Sequence, residues 1–356
     1  MFDELIKSRS VFCTYARSAI YLSLMALDVV GKEVILPAFT CQTNLPSAVR
    51  YAGGIPVYVD VDKNNFNMSC ESLKLKISDK TAVVITHCYY GGVPSNLFDI
   101  YVLAKKSNIK MIIDAAHSYG ERMPVIGDVI IYSFSKFICN PGGGCAVFRN
   151  REIYQKALSF QRRNASCIHS MCMNPILFSY YNALVNDRQM SGAYAKTDIS
   201  FVKRVIGKLI REIGIYKFQD YYKENLNIGL GNYDTRMTDK QYDFIKQNIK
   251  LREEKLISKR GHIGHKLELV LPNVVHSTTY PLYVIMVKDV YKVYRLLMGA
   301  NINVRYTWPV FQKYEPEQLT KNINYIKRHC LLLDVDILDD EKIRFIELHK
   351  GDIAID

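Results

Sequence analysis

The chain has 356 residues, 49% of them hydrophobic and 23% charged, enough for a large core and two domains. Lys and Arg outnumber Asp and Glu by 47 to 35, a net charge of +12 that suits anionic partners: phosphate-bearing substrates, nucleic acid or a membrane surface. No apolar run approaches the roughly 20 residues that span a bilayer. The opening MFDELIKSRS has no signal-type apolar core, and nine scattered cysteines form no C-x-x-C and have no histidines at zinc spacing, so a cytoplasmic protein with reduced thiols is expected.

In chain order, SAIYLSLMALDVV has helical spacing, EVILPAF is a short β-rich run, and NLPSAVRYAG is a helix ending at Gly53. IPVYVDVD and AVVITHCYYG read as strands, NLFDIYVLAKKSN as a helix, and KMIIDAAHSYG and DVIIYSFS as strands. Strands alternating with helices predict a mostly parallel sheet covered on both faces, an α/β fold. Ligands of such sheets sit beyond the carboxyl ends of the strands. Residues 151–260 hold 20 Lys and Arg against 11 Asp and Glu, so most of the excess charge lies there. Within them, residues 199–217 predict a basic amphipathic helix, with apolar rows at Phe201, Val205, Leu209 and Ile213. Packed on its own protein it is an ordinary surface helix; free, it would suit a membrane surface. DKQYDFIKQNIKLREEKLISKRGH contains a helix leading into a small α+β unit. The expected division is a large domain over 1–235 and a small C-terminal domain over 236–356.

Two residues at successive strand ends carry the chemistry. Asp114 closes one apolar strand, and Lys136 follows the next, ahead of three glycines. Pyridoxal phosphate needs such a pair. A lysine forms a Schiff base with its aldehyde, and a carboxylate keeps the ring nitrogen protonated so that the ring withdraws electrons. Its phosphate needs a helix N-terminus and hydroxyls; Ser18 opens a helix, and Ser133 and Ser135 precede the lysine. His262 and His265 form H-x-x-H without a third ligand and are expected at the surface, with no metal bound.

Five segments, in order, resemble one family. EVILPAFTCQTNLPSAVRYAGGIPVYVDVD, AVVITHCYYGGVPSN, IIDAAHSYG, YSFSKFICNPGGGCAV and NYDTRMTDKQ are similar to consecutive motifs of the DegT/DnrJ/EryC1/StrS sugar aminotransferases, fold-type I enzymes of the aspartate aminotransferase superfamily. The resemblance implies that Lys136 holds the cofactor aldehyde and shuttles the proton, that Asp114 pairs with the pyridine nitrogen, and that His117 takes the place of a glutamine facing the ring oxygen. Ser133 and the backbone at Arg17 and Ser18 would hold the phosphate. A homodimer with shared active sites is implied, with Arg236 contributed to substrate across the interface.

The chain departs from the pattern at three points. The serine-to-lysine spacing is two residues short. Asp234 replaces an asparagine that contacts phosphate, with Asn232 as a substitute. Cys41 replaces the aromatic residue that stacks on the ring, leaving Phe39 for that role. The expected reaction moves an amino group from glutamate, or another amino acid, to a keto sugar linked to a nucleotide diphosphate, for polysaccharide or glycoside synthesis. Alternatives are a sugar dehydratase or another fold-type I reaction, or a non-catalytic sensor or polyanion binder; no nucleic-acid motif supports the last.

Overall fold

A computed structural model describes residues 2–41, 45–119, 123–124, 126–138, 143–161, 163–164, 234–272, 274, 280–307 and 321–355. The basic helix expected at 199–217 and Asn232 lie outside them. The strands of the first part are β1 Ser10–Cys13, β2 Glu33–Pro37, β3 Ile55–Val59, β4 Thr81–His87, β5 Lys110–Asp114, β6 Val129–Ser133, β7 Gly144–Phe148, β8 Arg163–Asn164 and β9 Thr235–Arg236. They form one sheet in the order β3-β2-β4-β5-β6-β7-β1-β9-β8. From β3 to β6 every pairing is parallel, and β7 and β1 then run antiparallel to their neighbours. The mostly parallel α/β sheet expected from the alternating pattern is therefore present.

Period-two side-chain alternation explains why these runs are apolar throughout. Val34, Leu36, Val83, Ile85, Ile112, Val129 and Ile131 face one cluster. Ile35, Val84, Met111, Ile113 and Tyr132 face the other. The helices among the described residues up to 270 are α1 Phe2–Lys7, α2 Ala16–Ala26, α3 Leu45–Tyr51, α4 Cys70–Lys76, α5 Leu97–Lys106, α6 Phe134–Ile138, α7 Arg151–Phe160 and α8 Asp239–Val270. Helices α2, α3 and α7 cover the first face; α4, α5, α6 and the start of α8 cover the second. Each buried Leu, Ile or Val adds about 1.5–3 kcal/mol.

Thr238 starts α8 by accepting the Gln241 N–H. Over its 32 residues, α8 buries Ile245 and Ile249 against the large sheet and Ile263 and Leu267 in a third cluster. That cluster contains β10 Leu282–Met286, β11 Val304–Tyr306 and β12 Cys330–Asp334, an antiparallel sheet in the order β10-β12-β11. Helices α9 Val290–Gly299, α10 Lys321–His329, α11 Asp340–Leu348 and α12 Lys350–Ile353 complete this part. Arg260, fully buried, is clamped to α8's neighbour Asp336 by two 2.8 Å hydrogen bonds. Among the described residues no helix is long and apolar enough to cross a membrane.

Candidate active site

Parallel pairing sets His87, the last residue of β4, directly beside Asp114, the last residue of β5. The His87 Nδ1 lies 3.2 Å from the Asp114 Oδ2, and its Nε2 meets the Thr40 hydroxyl at 3.0 Å. The other carboxylate oxygen, Oδ1, accepts the Ala116 N–H at 3.1 Å. Asp114 is thus held on both oxygens while its side chain stays 14% exposed, at the strand end where such folds take ligands.

Lys136 is exposed on α6. The helix turns because Phe134 and Phe137, three residues apart, are both buried on one face, leaving the lysine outward. Its amine is close enough to His117 to act on it electrostatically. Burial first, then the charges of Lys136 and His87, hold His117 well below the ordinary imidazole range. Its Nδ1 accepts the Tyr90 N–H at 3.3 Å, and its ring stacks on Tyr280 with centroids 4.1 Å apart and planes 12° from parallel.

A row of residues crosses three strands: Ser133 pairs with Gly144, and Gly144 pairs with Cys13. Helix α2 begins just beyond that row. Its N-cap Tyr15 makes no side-chain capping bond, and its first turn holds no acid. Such an end favours an anion. Gly144 lets α2 begin there, since a Cβ on it would stand 2.3 Å from the Ala16 nitrogen. The strand ends therefore offer a fixed carboxylate, a primary amine, a neutral imidazole and an uncapped helix start. This set matches a phosphorylated pyridine aldehyde: carboxylate for ring nitrogen, amine for carbonyl, helix end for phosphate.

Ser133 is nearly enclosed, at 4% exposure. Ser18 is fully enclosed and its N–H donates to the Tyr15 carbonyl, so of the two residues at the helix start it is Arg17, half-buried, that reaches the surface. Cys41 is half-buried after β2. Phe39, expected to stack on a bound ring, is fully buried with its ring against Phe66 and Tyr89; it has no open face to offer. Asp234 is half-buried in a turn, and Arg236 is exposed on β9 opposite Cys13. The Thr14 hydroxyl donates to the Arg236 carbonyl and the Gln241 amide to the Thr14 carbonyl, which brings TRMTDKQ back to the start of α2. His262 and His265 are exposed on α8, and no metal-binding cluster occurs among the described residues.

His87, Thr40, Tyr90 and Tyr280 were not singled out from sequence. The strand-end argument that found Asp114 applies equally to His87, which ends the apolar run AVVIT. Nothing in the sequence near Tyr280 points to His117.

Comparison with known proteins agrees with this fold. GDP-perosamine synthase of Escherichia coli O157:H7 is 27% identical over 278 residues, 74% of this chain and 71% of the relative. The sugar aminotransferase CalS13 of Micromonospora echinospora superposes with a TM-score of 0.68 at 16% identity, covering 98% of this chain and 89% of the other. NtdA of Bacillus subtilis with bound cofactor PMP superposes with a TM-score of 0.68 at 18% identity, covering 98% and 74%. The sequence profile of one family matches residues 3–173, the segment that carries β1 to β8 and the Asp114–Lys136 pair. That profile is the one of the DegT/DnrJ/EryC1/StrS aminotransferase family, to which residues 3–173 of this chain are similar.

Proposed function

We propose that this chain is a pyridoxal 5'-phosphate-dependent aminotransferase that moves an amino group from glutamate, or another amino acid, to a keto sugar linked to a nucleotide diphosphate. The observation that carries this is the Asp114 carboxylate, gripped by His87 and the Ala116 N–H at the end of β5, with Lys136 just past the end of the neighbouring parallel strand β6. When bound, the cofactor supplies an electrophilic carbonyl and an electron-withdrawing ring. Lys136 Nζ would be the amine that holds the cofactor's carbonyl carbon, and it would serve as the proton carrier. Asp114 would keep the ring nitrogen protonated, and His87 fixes the carboxylate's position. Arg17 at the start of α2 and Ser133 would hold the phosphate, and His117 and Cys41 would contact the ring.

The choice of amino acceptor is supported by relatives such as GDP-perosamine synthase, named for a GDP-linked product, and by a net charge of +12 that favours a diphosphate. The enzyme acts in the cytoplasm as a homodimer with shared sites. Arg236, Asp234 and Asn232 serve the partner's crevice, and the chain divides into a large domain over 1–235 and a small one over 236–356.

The test is the visible spectrum of the purified protein with pyridoxal phosphate, then with glutamate, then with nucleotide-linked keto sugars. A visible band that Lys136→Ala abolishes, that glutamate bleaches and that one keto sugar restores is the expected result. No band in the wild type would overturn the proposal.

A further inference from the structure

The large sheet splits beside Asp114. Strand β2 pairs with β4 only as far as Ile35 and Val84, and its last residues, Leu36 and Pro37, pair with Tyr58 and Val59 of β3. On its other side β4 stays paired with β5 through His87 and Asp114, and the Cys88 N–H continues that ladder to the Asp114 carbonyl at 3.0 Å. Successive N–H groups of a strand point to opposite sides, so the His87 N–H faces the side that β2 has left. Asn67 meets it there. Its Oδ1 accepts the His87 N–H at 3.2 Å and the Thr86 hydroxyl at 2.7 Å. A backbone N–H can only donate, which settles the orientation of the amide. Asn67 is fully buried and ends a tight turn: its own N–H donates to the Asn65 Oδ1 at 3.0 Å, and its carbonyl accepts the Asp62 N–H at 2.8 Å.

We infer that Asn67 is a positioning residue for the His87–Asp114 pair: by standing in for β2 as acceptor of the His87 N–H, it fixes the roll of β4 where the imidazole leaves the strand. The inference deepens the pyridoxal phosphate reading and rests on it. The ladder to β5 fixes how far along the sheet His87 lies. It leaves the strand end free to roll about that one row of bonds, and a roll swings the imidazole away from Asp114. An acceptor on the open side stops the roll. Side-chain alternation puts Thr86 in step with Val84 on one face, and His87 in step with Ile85 on the other. Asn67 bonds the Thr86 hydroxyl, so it approaches β4 from the face away from the imidazole and acts on the ring through the main chain alone. Thr40 holds the ring itself, at Nε2.

The experiment is 1H and 15N NMR of the histidine side chains without cofactor, with His87→Gln to assign the signal, joined to denaturant unfolding and absorbance titration with pyridoxal phosphate. In the wild type the His87 Nδ1–H, bonded to Asp114, is expected as a far-downfield proton slow to exchange with water. Asn67→Leu keeps the bulk and removes the acceptor. That proton should then be lost to exchange, and pyridoxal phosphate affinity should fall about tenfold. Thr86→Val is the control. It removes the shorter bond to the same amide, so it should cost comparable stability while leaving the His87 proton and the affinity unchanged. A leucine variant that matches the wild type in both, or a valine variant that loses both to the same degree, overturns the inference. If the leucine variant does not fold, the wild-type backbone decides: the His87 N–H should be protected from hydrogen exchange, and rapid exchange there overturns the inference. Absence of any visible band in the wild type overturns the cofactor reading instead, and the NMR, made without cofactor, still decides for or against Asn67.

Discussion

Gly144→Ala is the sharpest perturbation of the crevice. The added Cβ would stand 2.3 Å from the Ala16 nitrogen and 2.5 Å from the Ala16 Cα and the Tyr15 carbonyl carbon. All three are backbone atoms, so no side chain can rotate away. Restoring ordinary contact requires a relative shift of about 1 Å between β7 and the start of α2, since buried interiors do not deform freely. Both partners are anchored: Gly144 by pairing with Cys13 and Ser133, and α2 by buried Ala19, Leu22 and Leu24. The cost should reach the upper end for overpacking, about 3 kcal/mol, and the displaced helix start should weaken phosphate binding as well. The neighbouring Gly143 supplies the control. Its Cβ would meet the flexible end of Ile245 at 2.7 Å, and its φ is +91°, so an alanine there should cost about 1–2 kcal/mol of backbone strain without moving α2. Denaturant unfolding gives the stability of both variants, and absorbance titration with pyridoxal phosphate gives the affinity. A Gly144→Ala protein as stable as wild type, with unchanged affinity, would refute the reasoning.

Other outcomes follow from single contacts. His87→Ala removes the 3.2 Å partner of Asp114, a hydrogen bond to a charged group worth about 1.5–3 kcal/mol; pyridoxal phosphate affinity should fall at least tenfold, read by spectral titration. Asp336→Ala leaves the fully buried Arg260 without its carboxylate and should cost about 3–5 kcal/mol in denaturant unfolding, far more than replacing both by apolar residues. Burial first, and then the neighbouring Asp336 charge, raise the Asp334 carboxyl to about 6, against the opposing pull of Arg305. An unfolded aspartate titrates near 3.9, so the folded state binds the extra proton between these values. The stability this supplies is full below about pH 4 and is lost as pH rises through about 6. Asp334→Asn should flatten that slope in unfolding measured across the window.

Much of the architecture could be read from the chain alone. Apolar runs broken by helical spacing dictate a covered parallel sheet, because period-two alternation with both faces apolar leaves no side for water. Asp114 and Lys136 stood out because an ionisable residue at the end of such a run has only the ligand crevice or a helix cap to go to. The resemblance in five ordered segments led to the family whose profile matches residues 3–173. What the sequence could not supply were contacts made by pairing and by distant return of the chain. His87 meets Asp114 because β4 and β5 run parallel in register, a relation set by hydrogen bonding between strands and invisible in either segment. Phe39 looked available because it neighbours Cys41, yet the fold closes Phe66 and Tyr89 over it. Tyr280 reaches His117 only because α8 carries the chain away from the large sheet and β10 brings it back. Local composition determines which elements form; the packing of those elements decides which of their polar side chains share one crevice, since that depends on distances no stretch of sequence encodes by itself.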